Sequence, residues 1–362
     1  MIVKTFDSKK YTNKIEKHAF QKDLINWYDA EKRDLPWRAD QDPYKIWVSE
    51  IMLQQTKVDT VIPYFQNFIT SFPTLNDLAE AEEEKVLKAW EGLGYYSRAR
   101  NLQAAVREVV EVYESKVPDQ PDLLGELKGV GPYTKGAILS IAYEKPEPAV
   151  DGNVMRVFSR ILAMDDDIAN QQTRKKIESC VTDLISHEDP SAFNQGLMEL
   201  GATVCTPKKP TCLLCPVQEH CQAFEQGIQE SLPVKSKAKK QKSLEYFALV
   251  FKDENEKYIL EKRPETGLLA NMWQFIMIDK SEVQKKQLPL YVREKYGWSI
   301  KGIKELSPVK HVFSHITWHL TVLEVELEGE IKTEAQASLM KKEKIKELPL
   351  PVSHQKIFNQ IT

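Results

Sequence analysis

The sequence predicts an all-α region followed by a smaller domain that mixes helices and strands. Three observations support this fold class. Apolar residues recur at helical spacing from His18 to about Thr203, and no strand pattern interrupts them. Residues 231–243 then form a basic, solvated linker that holds Lys235, Lys237, Lys239, Lys240 and Lys242. From Leu244 onward, short apolar runs alternate with polar residues, which is typical of strands.

Composition limits the classes of protein to which the chain can belong. A chain of 362 residues with 42% hydrophobic content is long enough for about two domains. The formal charge of −3 gives no overall attraction to nucleic acid, so any such binding must come from local basic surface. No apolar run approaches the length of about 20 residues that spans a bilayer, and the N-terminus lacks the apolar core of a signal peptide. We therefore expect a cytoplasmic protein with no membrane partner.

The first long helices carry a glutamate among apolar residues. Residues 1–17 are polar and are expected to be mobile, and a helix should run from His18 to the segment DLPWR at 34–38. Asp42-Pro43 then has the capping residue and proline of a helix start, and Glu50 follows in the sequence PYKIWVSEIMLQQT. An exposed glutamate is the ordinary interpretation. A buried one would have a raised pKa and could act as a general acid near neutral pH.

A turn rich in glycine and aromatic residues follows two further helices, expected at about 59–70 and 82–90. This turn has the sequence GLGYYSRAR and runs from Gly92 to Arg100. Its apolar and aromatic side chains suit insertion into a stack of bases, with Arg98 and Arg100 on phosphates. A packed loop between helices is an equally good interpretation of the turn by itself.

Two glycines mark a tight connection between the next two helices. A short apolar helix around Leu124 leads into the turn KGVGP at 128–132, and a second helix is expected at about 134–143. Because Gly129 and Gly131 carry no Cβ, the backbone can approach a partner closely. Free N–H groups at a helix start can also bind an anion such as a DNA phosphate. A plain helix connection is the alternative.

Asp151, in the sequence AVDGNVMRV, can either cap a helix or serve as a functional carboxylate. Asp-Gly-Asn fits a helix start, where the aspartate accepts hydrogen bonds from free amides. The same amides would keep the carboxylate ionised at the mouth of a cleft. The remaining helices of this region are expected at about 101–113, 154–162, 173–186 and 192–203.

Four of the five cysteines lie close together in the chain, at Cys205, Cys212, Cys215 and Cys221. Four thiolates within one loop can hold either a zinc ion or a [4Fe–4S] cluster. Zinc ribbons usually combine two Cys-x-x-Cys pairs, and only one pair is present, so the spacing favours the cluster. Lys208 and Lys209 could meet phosphate from the first interval. Cys180 has the neighbours of an ordinary core thiol.

The C-terminal region has the short strands of a mixed α and β domain. Strands are expected at 246–251, 257–262, 273–278 and 312–328, with helices at about 282–296 and 355–361. In the last strand the apolar residues change parity between Val322 and Leu323. This change predicts a bulge, or a twist that exchanges the two faces of the strand.

Together these segments resemble the adenine DNA glycosylases of the MutY type, within the helix-hairpin-helix, iron–sulfur glycosylase superfamily. The resemblance runs from about His18 to the C-terminus. It rests on six motifs in order: SEIMLQQT, GLGYYSRARNL, LKGVGPYTKGA, AVDGNVMRV, the four cysteines and HVFSH. It implies a helical glycosylase region at 1–226, with the hairpin at about 123–143 and the iron–sulfur loop at 205–221. A basic linker at 227–243 and a MutT/Nudix-like lesion-recognition domain at 244–362 follow.

The resemblance also implies an activity, which is hydrolysis of the N-glycosidic bond of adenine opposite 8-oxoguanine or guanine in double-stranded DNA. Glu50 matches the catalytic acid, Asp151 the carboxylate that stabilises the oxocarbenium-like sugar, and Tyr133 a tyrosine that orients them. Residues that match DNA or base contacts are Trp37, Arg38, Gln55, Thr56, Leu93, Tyr95, Gly129, Gly131, Gln195, Phe313, Ser314 and His315. Of these, Phe313-Ser314-His315 match the loop that reads 8-oxoguanine. The implied cofactor is a [4Fe–4S] cluster on the four cysteines, and we expect a monomer.

The chemistry of the residues agrees with this assignment. Breaking an N-glycosidic bond needs a proton on the leaving base and negative charge beside the sugar, which two carboxylates of different pKa can supply. Related bifunctional glycosylases carry a lysine where Tyr133 stands, so we expect excision without β-elimination, although Lys135 is nearby. The segment REKYG at 293–297 lacks the paired glutamates of an active Nudix hydrolase. The rival hypotheses are an endonuclease III-like lyase and a non-catalytic iron–sulfur protein that binds damaged DNA.

Overall fold

The computed structural model describes residues 6–236, 241–329, 331, 333 and 337–361. Their contacts divide the chain into two units. Unit 1 comprises the described residues of Met1–Ala79 and Ala104–Lys237, and unit 2 those of Glu80–Gln103 and Ala238–Thr362. The segment Glu80–Gln103, which the sequence assigns to the helical region, thus makes its contacts within unit 2. The expected domain limits at 226 and 244 remain predictions about independently folding parts.

The region up to the cysteine loop is helical in its described residues, as the sequence predicts. The α-helices are α1 (Lys9–Thr12), α2 (Lys17–Glu31), α3 (Pro43–Leu53), α4 (Val58–Ser71), α5 (Leu75–Glu80), α6 (Glu83–Ala89), α7 (Ser97–Val112), α8 (Pro121–Glu126), α9 (Pro132–Tyr143), α10 (Gly152–Ile161), α11 (Gln171–Leu184), α12 (Pro190–Thr203) and α13 (Gln222–Glu225). Short 3-10 helices occur at Pro36–Arg38, Cys212–Leu214 and Gln218–His220. Helices α1, α5 and α13 were not predicted, and α1 lies in the segment that was expected to be mobile.

Side-chain caps explain where the helices that bear the site begin. The Oδ1 atom of Asp42 accepts a hydrogen bond from the amide of Tyr44 at 2.9 Å, and Pro43 occupies the first turn of α3. At the start of α12, Asp189 accepts from the amide of Ala192 at 2.7 Å, again with a proline in the first turn. Such caps satisfy amides that have no partner inside the helix. They fix both helices relative to the loops that precede them.

Helix α10 lies in the core of unit 1. All its residues from Val154 to Ile161 are buried, and most of its apolar side chains pack with residues of α2, α11 and α12. Because α10 is enclosed in this way, its first residues have a fixed position. Asp151, which immediately precedes the helix, is therefore held by a rigid element.

Unit 2 contains, in its described residues, a seven-stranded mixed sheet in the order β4-β6-β1-β3-β2-β7, with β5 paired to β6. The strands are β1 (Lys242–Lys252), β2 (Tyr258–Lys262), β3 (Trp273–Asp279), β4 (Ser299–Glu305), β5 (Val309–Val312), β6 (Ile316–Glu328) and β7 (Ala337–Met340). Strands β1 and β6 are parallel, and the other pairs are antiparallel. The helices after the linker are α14 (Leu288–Tyr296), α15 (Lys342–Glu347) and α16 (Val352–Phe358).

The predicted bulge at Val322 and Leu323 is wrong. The register of β6 with β1 continues without a shift from Ile316 to Glu326. Trp318, Leu320 and Val322 pack into one core cluster, and Leu323, Val325 and Leu327 pack into another. Alternate residues of a strand point to opposite faces, so the parity changes because each half of β6 packs mainly on a different face of the sheet.

The predicted basic linker is only partly described. Strand β1 already begins at Lys242, and residues 237–240, which include Lys237, Lys239 and Lys240, lie outside the described residues. Among the helices that are described, none is both long and apolar enough to cross a membrane.

Candidate active site

A cavity of about 820 Å³ in unit 1 brings together residues from α3, the α8–α9 turn, α10, α11 and α12. Predicted site residues that line it are Trp37, Arg38, Glu50, Gln55, Thr56, Gly129, Gly131, Tyr133, Asp151 and Gln195. In the sequence these residues are spread from Trp37 to Gln195, over most of unit 1. A cavity of this size, with convergent polar groups, is the usual form of a ligand site.

Glu50 lines this cavity and is only 5% exposed. Helix α3 is buried on all sides from Ile46 to Met52, so the carboxyl group has little access to water. Burial raises the pKa of Glu50 to about 7, while the hydrogen bond from the Tyr133 hydroxyl opposes that rise. The negative charge of Asp151 raises the pKa of Glu50 further. Glu50 is therefore a carboxylic acid that exchanges its proton near neutral pH.

Tyr133 donates its hydroxyl hydrogen to Oε2 of Glu50, 83 residues away in the sequence. The backbone of Gly129 has a φ of 83°, which lets the chain turn sharply between α8 and α9. Pro132 then starts α9, with Tyr133 in its first turn. Burial raises the pKa of Tyr133 well above its ordinary value, so the hydroxyl remains a donor. Because Oε2 accepts this bond, Oε1 is left to carry the exchangeable proton of Glu50.

Asp151 caps α10 and faces the same cavity. Its Oδ1 accepts from the amide of Val154 at 2.7 Å, and its Oδ2 accepts from Nδ2 of Asn153 at 2.8 Å. The sequence predicts that such amides keep the carboxylate ionised. In the structure burial is the larger influence and raises the pKa of Asp151, although these hydrogen bonds oppose it.

A chain of hydrogen bonds joins Asp151 to the cysteine loop. Asn153, which bonds to Asp151, accepts at Oδ1 from Nη2 of Arg156 at 2.8 Å. The Nε of Arg156 donates to the backbone oxygen of Cys205, also at 2.8 Å. Helix α12 comes close enough that a Cβ at Gly201 would meet the Cβ of Asn153 at 2.6 Å. The hydrogen bonds of Asn153 and its close packing against Gly201 thus fix the orientation of Asp151.

Glu199, a carboxylate that lines the cavity and is 1% exposed, was not predicted from the sequence. It pairs with Nε of Arg33 at 2.5 Å and with Nη2 of Arg38 at 2.8 Å. Burial raises its pKa, but the hydrogen bonds from the two arginines outweigh burial and lower the pKa below the ordinary value. The available signal was spacing, because Glu199 lies one helical turn after Gln195, which was predicted.

Five predicted DNA-contacting residues belong to unit 2, namely Leu93, Tyr95, Phe313, Ser314 and His315. Tyr95 is 43% exposed and Leu93 is 7% exposed, so Tyr95 is the side chain that the turn presents. The sequence predicts Arg98 on a phosphate. In the structure Nη2 of Arg98 donates to the carbonyl oxygen of Gly94 at 3.2 Å, inside the turn, and its contact with a phosphate stays a prediction.

The four predicted cluster ligands line one small cavity together with Arg160. In the part of the chain that the structure describes, no three His, Cys, Asp or Glu side chains are placed to share a single metal ion. Four thiolates can hold either a zinc ion or a [4Fe–4S] cluster. Arg160 is buried, and its Nη1 lies 3.2 Å from the sulfur of Cys205. A buried cation against these sulfurs fits a negatively charged cluster.

The two carboxyl groups predict a bell-shaped dependence of catalysis on pH. If Glu50 must be protonated, the rate falls as pH rises through its pKa of about 7. If Asp151 must be ionised, the rate falls again as pH decreases through its raised pKa. Single-turnover rates measured across pH should show both limbs. A rate that does not fall above neutrality would contradict the assignment of Glu50 as the acid.

Family models match two parts of the chain. Residues 48–182 match the HhH-GPD superfamily of base excision DNA repair proteins, and residues 246–360 match the NUDIX domain. The solved structure of a thermostable thymine-DNA glycosylase is similar, with a TM-score of 0.53 and 26% identity. The alignment covers 59% of this chain and 99% of that one. The fold and the cavity therefore define a DNA glycosylase of this superfamily with an added Nudix-like domain.

Two relatives define the family more closely. The adenine DNA glycosylase of Rattus norvegicus is 36% identical, over 86% of this chain and 71% of the relative. The adenine DNA glycosylase of Buchnera aphidicola subsp. Schizaphis graminum is also 36% identical, over 86% of this chain and 88% of the relative. The chain belongs to the adenine DNA glycosylase family. The predicted family and fold class are thereby confirmed.

Proposed function

We propose that this glycosylase hydrolyses the N-glycosidic bond of adenine opposite 8-oxoguanine or guanine in double-stranded DNA. The observation that carries the proposal is the buried acid Glu50, with its pKa of about 7, in one cavity with Tyr133 and Asp151. The names of the relatives at 36% identity support adenine as the excised base. Reaching the cavity requires the adenine to leave the base stack, which costs least at a mismatch.

Glu50 and Asp151 divide the chemistry between them. Glu50 donates its proton to a ring nitrogen of the adenine, so that the electron pair of the breaking C–N bond passes to a neutral leaving base. The sugar develops the positive charge of an oxocarbenium ion, and the negative charge of Asp151 stabilises it. The oxygen of a water molecule then bonds to the sugar carbon, and the proton that water loses passes to a carboxylate. Tyr133 keeps Glu50 in position throughout.

The charged wall of the cavity suits the hydrogen-bonding edge of adenine. Adenine presents an acceptor at N7 beside a donor at N6. Glu199 supplies acceptor oxygens, and Arg38, which is bonded to it, supplies donors from the same wall. This pairing of donor and acceptor favours adenine over a base that lacks one of the two groups.

The reaction ends at the abasic site, because Tyr133 stands where the resemblance requires a lysine for lyase activity. Incubation with borohydride tests this step, since a Schiff base between the protein and the sugar would be reduced to a stable adduct. We expect free adenine, no adduct and no strand break before alkali. An adduct that forms in proportion to excision would favour the endonuclease III-like reaction.

Phe313, Ser314 and His315 are proposed to read 8-oxoguanine. The ring of Phe313 packs against Trp318 and His311, with centroids 4.8 and 4.4 Å away. Gln241 donates to the carbonyl oxygens of Phe313 and Ser314 at 3.0 and 3.3 Å. These contacts hold the backbone of the loop, while the side chains of Ser314 and His315 remain exposed. An ordered loop with two exposed polar side chains is suited to reading a base edge.

Replacing Ser314 and His315 together by alanine should weaken the preference for 8-oxoguanine over guanine. Loss of one or two hydrogen bonds lowers the ratio of the two excision rates by about tenfold. The ratio is measured with adenine opposite each base under single-turnover conditions. Ser281→Ala, an exposed serine elsewhere in unit 2, is the control. An unchanged ratio in the double variant would remove this role from the loop.

The [4Fe–4S] cluster is proposed on Cys205, Cys212, Cys215 and Cys221. Burial raises the pKa of the Cys215 thiol to about 12, so that thiol must lose a proton to bind iron. The four cysteines of the cysteine loop would hold the cluster and would thereby be joined to one another. Through Arg156 and Asn153, that loop supports the orientation of Asp151.

A further inference from the structure

The segment Glu80–Gln103 is attached to the C-terminal domain by hydrogen bonds within unit 2. At the start of α6, Oε1 of Glu83 accepts from Nδ2 of Asn271 at 2.7 Å. The neighbouring Glu84 accepts from the indole N–H of Trp273, the first residue of β3. Hydrogen bonds to a carboxylate are about twice as strong as neutral ones. Helix α6 is therefore fixed to the sheet at its N-terminal end.

Further bonds hold the chain on both sides of the turn Gly92–Arg98, which we call the insertion turn. Before it, Oε1 of Glu91 accepts from the amide of Leu350 at 2.7 Å. Lys88 donates to Glu91 at 2.6 Å and to the carbonyl oxygen of Leu348 at 3.1 Å. After the turn, Arg100 donates to the carbonyl oxygen of Glu265 at 3.2 Å. Both ends of the turn thus connect to the C-terminal domain.

The turn itself is built to present Tyr95. Tyr95 has a φ of 47°, a left-handed conformation that persists only where the surroundings fix it. The guanidinium of Arg98 lies over the Tyr95 ring, 5.4 Å from its centroid, and over the Trp90 ring at 5.6 Å. Trp90 and Arg98 both donate to the carbonyl oxygen of Gly94, at 3.3 and 3.2 Å. The exposed side chain of Tyr95 is therefore supported by a turn whose conformation is fixed.

We propose that the C-terminal domain positions Tyr95 for insertion into the base stack, and that Trp273 and Asn271 are positioning residues for this step. The inference rests on the proposed function, because insertion accompanies extrusion of the target base. Inserting a side chain between stacked bases exerts a force on the turn. A turn that is held only by its own chain would move under that force. The hydrogen bonds between α6 and the C-terminal domain connect the turn to the sheet, which resists that force. The domain then contributes to extrusion as well as to lesion reading.

The test removes the two side-chain donors without straining the backbone. Trp273→Phe retains an aromatic ring without the N–H, and Asn271→Gly accepts the backbone φ of 61° at that position. Tyr291→Phe is the matched control, because it removes another donor to a glutamate of unit 2, Glu282, at 2.9 Å. Two quantities are measured on duplexes with adenine opposite 8-oxoguanine. They are the fluorescence of a 2-aminopurine beside the target adenine, which rises on unstacking, and the single-turnover rate of adenine release.

We expect the double variant to lose most of the fluorescence rise and to release adenine about tenfold more slowly, consistent with the loss of bonds to charged groups. Tyr291→Phe should match the parent. In a background of Tyr95→Ala, the same double substitution should have little further effect, because it acts through Tyr95. Additive losses in that background would overturn the proposal, since they would indicate general destabilisation.

A second variant pair keeps the test decisive if the double variant folds poorly. Glu84→Ala should reproduce the loss, and Glu84→Gln, which retains an acceptor for Trp273, should restore most of the fluorescence rise. Equal behaviour of these two variants would contradict the positioning role.

The outcomes also separate this inference from the proposed function. A parent that unstacks the duplex but releases no adenine would refute the function alone, and a normal fluorescence rise in Glu84→Ala would refute the positioning alone.

Discussion

Glu50→Gln is expected to lower single-turnover release of adenine by about a thousandfold or more, within the range that general acid catalysis contributes. Glutamine has nearly the same shape, and its amide oxygen can still accept the hydrogen bond from Tyr133. It has no acidic proton for the leaving base, so the C–N bond must break with the charge left on the adenine. The measurement is the amount of free adenine over time with enzyme in excess of duplex.

Binding separates a catalytic defect from a folding defect in this variant. Affinity for the duplex should be retained, because the substitution leaves the surface of the protein unchanged. Glu111→Gln, an exposed glutamate of α7, is the matched control and should release adenine at the rate of the parent. If Glu50→Gln turned over like this control, the proton donor would have to lie elsewhere in the cavity.

Asp151→Asn is expected to cause a loss of similar size, because it removes the negative charge beside the developing sugar cation. Asparagine is as good a helix cap as aspartate, so α10 should remain stable and the loss can be assigned to charge. The charge of Asp151 also raises the pKa of Glu50. The variant should therefore shift the high-pH limb of any residual activity to lower pH.

Asp189→Asn provides the control for this substitution. Asp189 caps α12 in the same way, with its Oδ1 accepting from Ala192 at 2.7 Å, and it does not line the cavity of Glu50. Both variants should unfold at temperatures close to that of the parent. Only Asp151→Asn should lose excision, and equal losses in the two variants would point to helix capping instead of charge.

The sequence predicts well what depends on neighbours along the chain. The helix starts at Asp42 and Asp151 follow from a capping residue and its neighbours, and both caps form in the structure. The four cysteines are close in the sequence and line one cavity. Local hydrogen bonds and spacing decide these features, so a single sequence contains the information.

Features that depend on distant contacts could not be read in the same way. The hydrogen bond between Tyr133 and Glu50 and the burial of Glu50 follow from the packing of α3 against α9. Glu199 is paired by Arg33, 166 residues away, and no local pattern indicates that partner. The parity change in β6 looked like a bulge because periodicity does not reveal that both faces of the sheet are covered.

The grouping of Glu80–Gln103 with unit 2 shows the same limit. Glu84 reads as one more acidic residue in the first turn of a helix, where it would stabilise the helix dipole. Its partner, Trp273, is 189 residues away. The sequence likewise does not show that the guanidinium of Arg98 donates to the carbonyl oxygen of Gly94 within its own turn.

The central claim is that one cavity with a protonated Glu50 and a charged Asp151 releases adenine according to the base opposite it. Single-turnover release from duplexes with adenine opposite 8-oxoguanine, guanine and thymine tests this claim directly. We expect fast release opposite 8-oxoguanine, slower release opposite guanine and none from the ordinary A·T pair, with no strand break before alkali. No release from any of the three duplexes, by protein shown to carry an iron–sulfur cluster, would contradict this claim and leave a protein that only binds DNA.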